Sequence, residues 1–282
     1  FLSDVIWAGG VVILTASLAD DYLFKTGEFN YIQRKKIKLK PIGIAVAALA
    51  VTGAAAAFML STPFYREKAN DSPVSALNTV SVYTQESSVY LMPGADKITL
   101  ISRANGFGLK GNDISDNYTY LEKEGSAKIN YKAEKKGFFT ELIADTEITL
   151  PDSAYSLKVE TLKGDIDFKS KGRYSSLILY SADGDISFTA EPGAAFDSIF
   201  IKAANGDVRF NLRQGAVFNP NAQLVINAAK GRVIMSNTGD YYEGMFKGVE
   251  EKSGSLELQH YGKNGIKAFI NAGKRIYYDG EK

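Results

Sequence analysis

The chain has no cysteine and a single histidine, His260, in 282 residues. Disulfides, thiolate metal sites and histidine-cluster metal sites are therefore excluded. One histidine leaves little material for a Ser-His-Asp triad. Its place in LELQHYG, two residues after Leu258, is that of a half-buried strand residue. An excess of charge is also lacking, since 33 Lys and Arg face 32 Asp and Glu for a formal net charge of +1. Without a global positive field, nucleic acid is not an expected partner. A phosphate-binding loop is missing too. The nearest string, SRANGFGLKGND at 102–113, has glycines at 106, 108 and 111, but no Gly-Lys-Ser/Thr follows.

The content is that of a folded protein, 45% hydrophobic and 23% charged, long enough for one large domain or two smaller ones. It begins at Phe1 rather than at a methionine, so we read it as processed or as part of a longer chain. The longest uncharged run is PIGIAVAALAVTGAAAAFML at 41–60. At 1.5 Å per helical residue its twenty residues span about 30 Å, the thickness of a bilayer core. A cleaved signal peptide has a similar basic flank and apolar stretch, but forty preceding residues and the length of the run favour a membrane helix.

The cluster Arg34, Lys35, Lys36, Lys38 and Lys40 abuts this run on its N-terminal side. The positive-inside rule places that cluster in the cytoplasm and everything after Tyr65 outside. Upstream, VIWAGGVVILTASLA at 5–19 is uncharged but only fifteen residues long. It fits either a second membrane helix or an interfacial, docked one. Residues 66–80, REKANDSPVSALNTV, are polar and read as a linker leaving the membrane.

The rest of the chain repeats a pattern. ETLKGDIDF at 160–168, YSADGDISF at 180–188 and KAANGDVRF at 202–210 share Gly-Asp, an aliphatic residue, a spacer and phenylalanine. Seven and five residues before each glycine stand Leu157 and Val159, Leu177 and Leu179, Ile199 and Ile201, and, before Gly231, Leu224 and Ile226. Two and four residues after stand Ile166 and Phe168, Ile186 and Phe188, Val208 and Phe210, and Val233 and Met235. Gly125 and Gly254 keep most of the pattern. This is period-two alternation on both sides of a fixed turn: strand, turn, strand, with one face buried.

From Gly164 to Gly254 the glycines are 20, 22, 25 and 23 residues apart, and the wider gap after Gly125 leaves room for a degenerate copy around FFTELIADTEITL. Two arrangements fit each unit: one rung of a β-solenoid or roll, or one hairpin of an up-and-down sheet. The fixed period favours the coil. The expected structural turns are Gly125, Gly164, Asp165, Gly184, Asp185, Gly206, Asp207, Gly231 and Gly254. Glycine would supply a positive φ, and the aspartate would bond nearby backbone N–H groups. Arg232 and Ser255 take the aspartate slot in two copies, which marks it as a surface corner.

TLPDSAYSLKVETLKGDIDF at 149–168, with the two following copies, resembles the putative-adhesin β-strand-repeat family. The resemblance covers about 80–278 and is strongest over 149–236. It implies a bacterial, membrane-tethered β-repeat domain and brings no catalytic residues with it.

Paired carboxylates, Asp165 with Asp167 and Asp183 with Asp185, are the residue types a polysaccharide-cleaving site or a calcium site needs. Because they recur with the turn, we read them as corner residues, with no catalytic, cofactor or metal role. Among the 16 Tyr and 16 Phe, Phe168, Phe188 and Phe210 fall in the inward register. Tyr241, Tyr242, Tyr277 and Tyr278 are the aromatic pairs left as a contact surface.

The expected organisation is an apolar segment and basic loop (1–40), a transmembrane helix (41–60), a linker (61–79) and an extracytoplasmic β-repeat domain (80–282). The expected role is a non-enzymatic binding or scaffolding module in the cell envelope, with membrane lipid and a protein as partners. Two alternatives are an accessory subunit of a membrane complex and a polysaccharide-acting enzyme.

Overall fold

The computed structural model describes Gly53 and residues 60–280, apart from 74–76, 95–96, 124–125, 152–153, 238–251 and 262–265. The segment 5–19, the basic cluster, nearly all of 41–60, Gly125, Tyr241 and Tyr242 lie outside the described residues. Among those described, no helix is long and apolar enough to cross a membrane. The described residues from Ser61 onward are all-β.

Seventeen strands follow in order: β1 (Ser61–Pro73), β2 (Leu77–Glu86), β3 (Ser88–Pro93), β4 (Lys97–Leu109), β5 (Asp113–Lys123) and β6 (Ser126–Lys136); then β7 (Phe139–Leu150), β8 (Ala154–Lys163), β9 (Ile166–Ser170), β10 (Arg173–Asp183), β11 (Ile186–Ala190) and β12 (Ala195–Asn205); and finally β13 (Val208–Leu212), β14 (Val217–Ala228), β15 (Val233–Asn237), β16 (Lys252–Tyr261) and β17 (Ile266–Gly280).

The strands on either side of a Gly-Asp corner do not pair with each other. Instead β8 pairs in parallel with β10, β10 with β12, and β12 with β14. In the same way β9 pairs with β11, β11 with β13, and β13 with β15. Each two-strand unit therefore lies on the preceding one, and the corner joins two separate parallel ladders. This corrects the hairpin option for these units: an Asn-Gly or Asp-Gly string here turns the chain between ladders rather than back along itself. The ladders meet in β17, whose first half pairs with β14 and whose second half pairs with β15.

The unit beneath Gly164 has no glycine. β2 pairs in parallel with β8 and β3 with β9, so Ser87 occupies the corner. Its neighbours Val80, Val82, Val89 and Leu91 stand at the same offsets as in the later copies, and all four are buried. Below this unit lie β6 and β7, parallel to β2 and β3. The expected degenerate copy FFTELIADTEITL is therefore strand β7, one ladder of the unit below. Gly125 falls between β5 and β6, which form an antiparallel hairpin, and Gly254 lies inside β16, antiparallel to β17. Gly254 is therefore not a corner between stacked units. The terminal copy is carried by β17 itself.

Residues 61–73, expected as linker, are strand β1, antiparallel to β4, which is in turn antiparallel to β7. The strand system thus begins at Ser61 rather than at residue 80. Alternation along β1 is too polar to read as buried, because its partners are ionic. Arg66 pairs with Asp113 at 2.6 Å and with Asp116 at 3.1 Å, and Ser72 Oγ lies 2.5 Å from the Tyr118 hydroxyl. These contacts tie β1 to β5 across the end of the stack. The Asp116 side chain is 1% exposed, so the guanidinium is what makes its charge tolerable there.

The core between the ladders is a pair of aromatic columns. Phe168, Phe188 and Phe210 stack with centroids 5.2 and 4.6 Å apart. Tyr155, Tyr174, Phe196 and Phe218 form the column facing them, and Phe168 meets Tyr174 edge-on at 5.5 Å. Each ring covers the one below, which is how units unable to bury an apolar face alone share a core.

Candidate interaction surface

The Gly-Asp corners are the positions that recur in every unit from Gly164 to Gly206. A Cβ at Gly184 would meet the Gly164 carbonyl oxygen at 2.2 Å. At Gly206 it would meet that of Gly184 at 2.1 Å, and at Gly231 that of Gly206 at 1.8 Å. Gly164 and Gly184 have φ of 138° and 154°, but Gly206 and Gly231 do not have positive φ. The shared reason for glycine is therefore the close approach of stacked backbones, and positive φ is a property of two corners only.

The aspartates form a ladder of their own. Asp165 Oδ1 accepts the backbone N–H of Asp185, Asp185 Oδ1 that of Asp207, and Asp207 Oδ1 that of Arg232, each at 2.8 Å. Each carboxylate thus reaches the same position one unit further on. Arg232 ends the series and turns its guanidinium back, with Nε 2.9 Å from Asp207 Oδ2. That pairing holds the Asp207 carboxyl below its ordinary range. Asp185 has a weaker version of the same arrangement, with Arg209 at 3.3 Å. Asp167, on the outer face of β9, pairs with Lys169 at 3.5 Å. Among the described residues no group of three or more His, Cys, Asp or Glu is placed to hold a metal ion.

Tyr277 and Tyr278 fall in β17, opposite Ile234 and Met235 of β15. The surface that stands out lies on the other ladder. On its outer face Ile178, Phe200, Val225 and Phe269 are consecutive register partners through β10, β12, β14 and β17. At about 4.8 Å per strand the row is roughly 14 Å long. Phe200 and Phe269 are 39% and 41% exposed.

No family description and no curated protein matches the chain. Solved structures similar to it include the following two. One, described as a putative cell adhesion protein from Clostridium sporogenes ATCC 15579, is 11% identical; the match covers 77% of this chain and 100% of that one, with a TM-score of 0.37. The other, a putative adhesin from Bacteroides fragilis NCTC 9343, is 12% identical over 76% of this chain and 94% of that one, with a TM-score of 0.24.

The row is bordered by polar groups on both sides. Towards the Gly-Asp corner the next register line is Tyr180, Lys202, Asn227 and Asn271, and on the other side it is Ser198, Gln223 and Lys267. Lys202 lies 5.6 Å above the Tyr180 ring, and among the described residues neither it nor Lys267 has a carboxylate partner. The result is an apolar strip with a lysine on each side, held on strands whose inner faces are buried in the core.

Proposed function

We propose that the chain is a membrane-anchored binding or scaffolding module of the cell envelope, displayed outside the cytoplasmic membrane. In this reading the stacked units are rungs of a β-solenoid, and the outer face of β10, β12, β14 and β17 is its contact surface. The observation that carries the reading is the row Ile178, Phe200, Val225 and Phe269. Phe200 and Phe269 are exposed and Ile178 and Val225 half-buried, and an apolar row left in water on a sheet costs solubility unless a partner covers it. Lys202 and Lys267, without a carboxylate partner among the described residues, fit a partner with an apolar ridge bordered by acidic groups, which is protein chemistry. The anchoring part rests on the run 41–60 and its basic flank.

Co-purification of the full chain from native membranes tests the proposal. A stoichiometric protein partner, lost on Phe200→Glu while the melting curve is kept, is the expected result. Recovery of the chain alone, or of the same partner with Phe200→Glu, would overturn the assignment of this face.

A further inference from the structure

The opposite end of the strand system carries a second exposed apolar patch. β4 and β7 run past the end of β3, which pairs only with Asp145–Leu150 of β7. Beyond that point β1, β4 and β7 continue as a three-stranded antiparallel extension. Its inner side is filled by Phe64 against Phe139, with centroids 5.1 Å apart. Its outer side carries Tyr65, Phe107 and Ile143, with Pro63 and Glu141 on the two sides of Phe107 in the register and Asn105 between Tyr65 and Ile143. Alternation on the extension thus leaves large apolar groups in water where polar ones belong. Ile143 is 55% exposed.

The tip is built to present one more ring. Asn112 donates its side-chain N–H to the Phe138 carbonyl and accepts the Phe138 backbone N–H at 3.1 Å, while Leu109 N–H reaches the same carbonyl at 3.2 Å. Gly137, with φ 89°, passes against Asn112, where a Cβ would meet its Oδ1 at 2.1 Å. This clamp leaves Phe138 itself in solvent. Lys110 and Lys136, next to the tip in sequence, are exposed and, among the described residues, make no ion pair, although Lys136 is the register partner of Asp113. Away from the tip the patch is closed off by charge: Tyr65 donates to Glu67 at 2.7 Å, and Arg103 pairs with Glu147 at 2.7 Å.

What covers this patch follows from where the chain comes from. Leu60, itself exposed, is the last residue of the uncharged run 41–60, and Ser61 opens β1. Ser61 pairs with Leu109 and Pro63 with Phe107. At about 3.3 Å per residue, Tyr65 is no more than about 17 Å along the chain from Leu60. A helix that ends at Leu60 in a bilayer interface therefore brings the patch to that same interface. Aromatic rings beside lysines are the side chains that settle at headgroup depth. We propose that the tip formed by 105–112 and 136–143, with Pro63 and Tyr65, inserts its apolar groups into the outer headgroup layer, with Lys110 and Lys136 on anionic phospholipid phosphates. The proposal rests on the reading of 41–60 as the anchor. It makes the first layer of the strand system a lipid-bound base and leaves the Phe200 face free for a partner.

The absence of cysteine makes the test direct. The full chain is reconstituted in vesicles of mixed zwitterionic and anionic phospholipid, with a single spin-labelled cysteine at Phe107, Phe138 or, as a control, exposed Gln214. Flotation with the vesicles reports the anchor, and collision with oxygen against a water-soluble nickel chelate reports the depth of each label. The expected result is flotation of all three, with labels at 107 and 138 shifted towards oxygen and away from nickel relative to 214. Flotation with three equal, water-exposed labels would overturn the lipid contact alone. Failure to float would overturn the anchor and the contact together. The double variant Lys110→Glu, Lys136→Glu should move the label at 138 towards nickel; an unchanged value would overturn the phosphate contact.

Discussion

Asp185 Oδ1 accepts the backbone N–H of Asp207 at 2.8 Å, one unit further along the stack. Asp207 repeats the bond to Arg232 and is the member whose charge is also neutralised. Its folded pKa lies below the ordinary aspartate value of about 3.9. A depressed pKa means that its stabilisation is complete above that value and is lost as pH falls through the folded pKa. Asp207→Asn keeps the acceptor for Arg232 N–H and should cost under about 1 kcal/mol. Asp207→Ala should cost about 1–2 kcal/mol, because it removes a charged hydrogen bond of a pair that is only partly screened. In urea unfolding, the gap between wild type and Asp207→Asn should be constant above about pH 5 and close below about pH 4.

The glycine corners separate packing from backbone strain. At Gly206 an added Cβ meets the Gly184 carbonyl oxygen at 2.1 Å, and both partners are main chain. Gly206→Val should cost about 3 kcal/mol or more or prevent folding, since neither strand can yield. Gly193, with φ 94° and nothing within 4 Å of an added Cβ, provides the comparison. Gly193→Ala should cost only about 1–2 kcal/mol of left-handed strain. Equal losses in unfolding midpoint would contradict the stacking explanation.

A third expectation concerns the domain boundary. The fragment 61–282 should fold, because it retains β1. A fragment starting at residue 80 should melt markedly lower or not cooperatively. It loses the cover on β4 and leaves Asp116 buried without Arg66. Thermal melts followed by circular dichroism check this, and identical curves would return residues 61–79 to the role of a linker.

Topology is checked by single cysteines on intact cells, or on spheroplasts if there is an outer membrane. A cysteine replacing exposed Lys171 should react with an impermeant maleimide, and one replacing Gln33 should not. Reaction at 33 but not at 171 would invert the chain in the membrane. Ser72 is a poor probe site, because its side chain is buried against Tyr118.

The repeat was legible because inward positions obey a strict rule. Leu157, Leu177, Ile199 and Leu224 share one offset from their glycines, as do Ile166, Ile186, Val208 and Val233, and all are buried. The unit at Val80–Leu91 obeys the same offsets, but it was hidden because Ser87 replaces the glycine. Being the unit below Gly164, it supplies a carbonyl rather than requiring a gap. β1 was illegible for a different reason: its core-facing residues include Arg66 and Ser72, whose partners are far away in sequence.

The contact row did leave a signal. Six residues before the glycine, an outward position reads Lys158, then Ile178, Phe200 and Val225. An apolar series where alternation calls for polar residues is the departure that points to the surface. That signal lies in the sequence itself, whereas the tip at Phe138 left none there. Its exposure depends on Asn112 meeting Phe138 across two loops.

The central claim is that the outer face of β10, β12, β14 and β17 contacts a protein in the envelope. Site-specific photo-crosslinking in native membranes addresses it most directly, with a photoreactive side chain at Phe200 and, as the comparison, at Arg209 on the outer face of the other ladder. A discrete protein adduct from position 200 and none from position 209 is the predicted result. No adduct from position 200, or the same adduct from both positions, would contradict the claim.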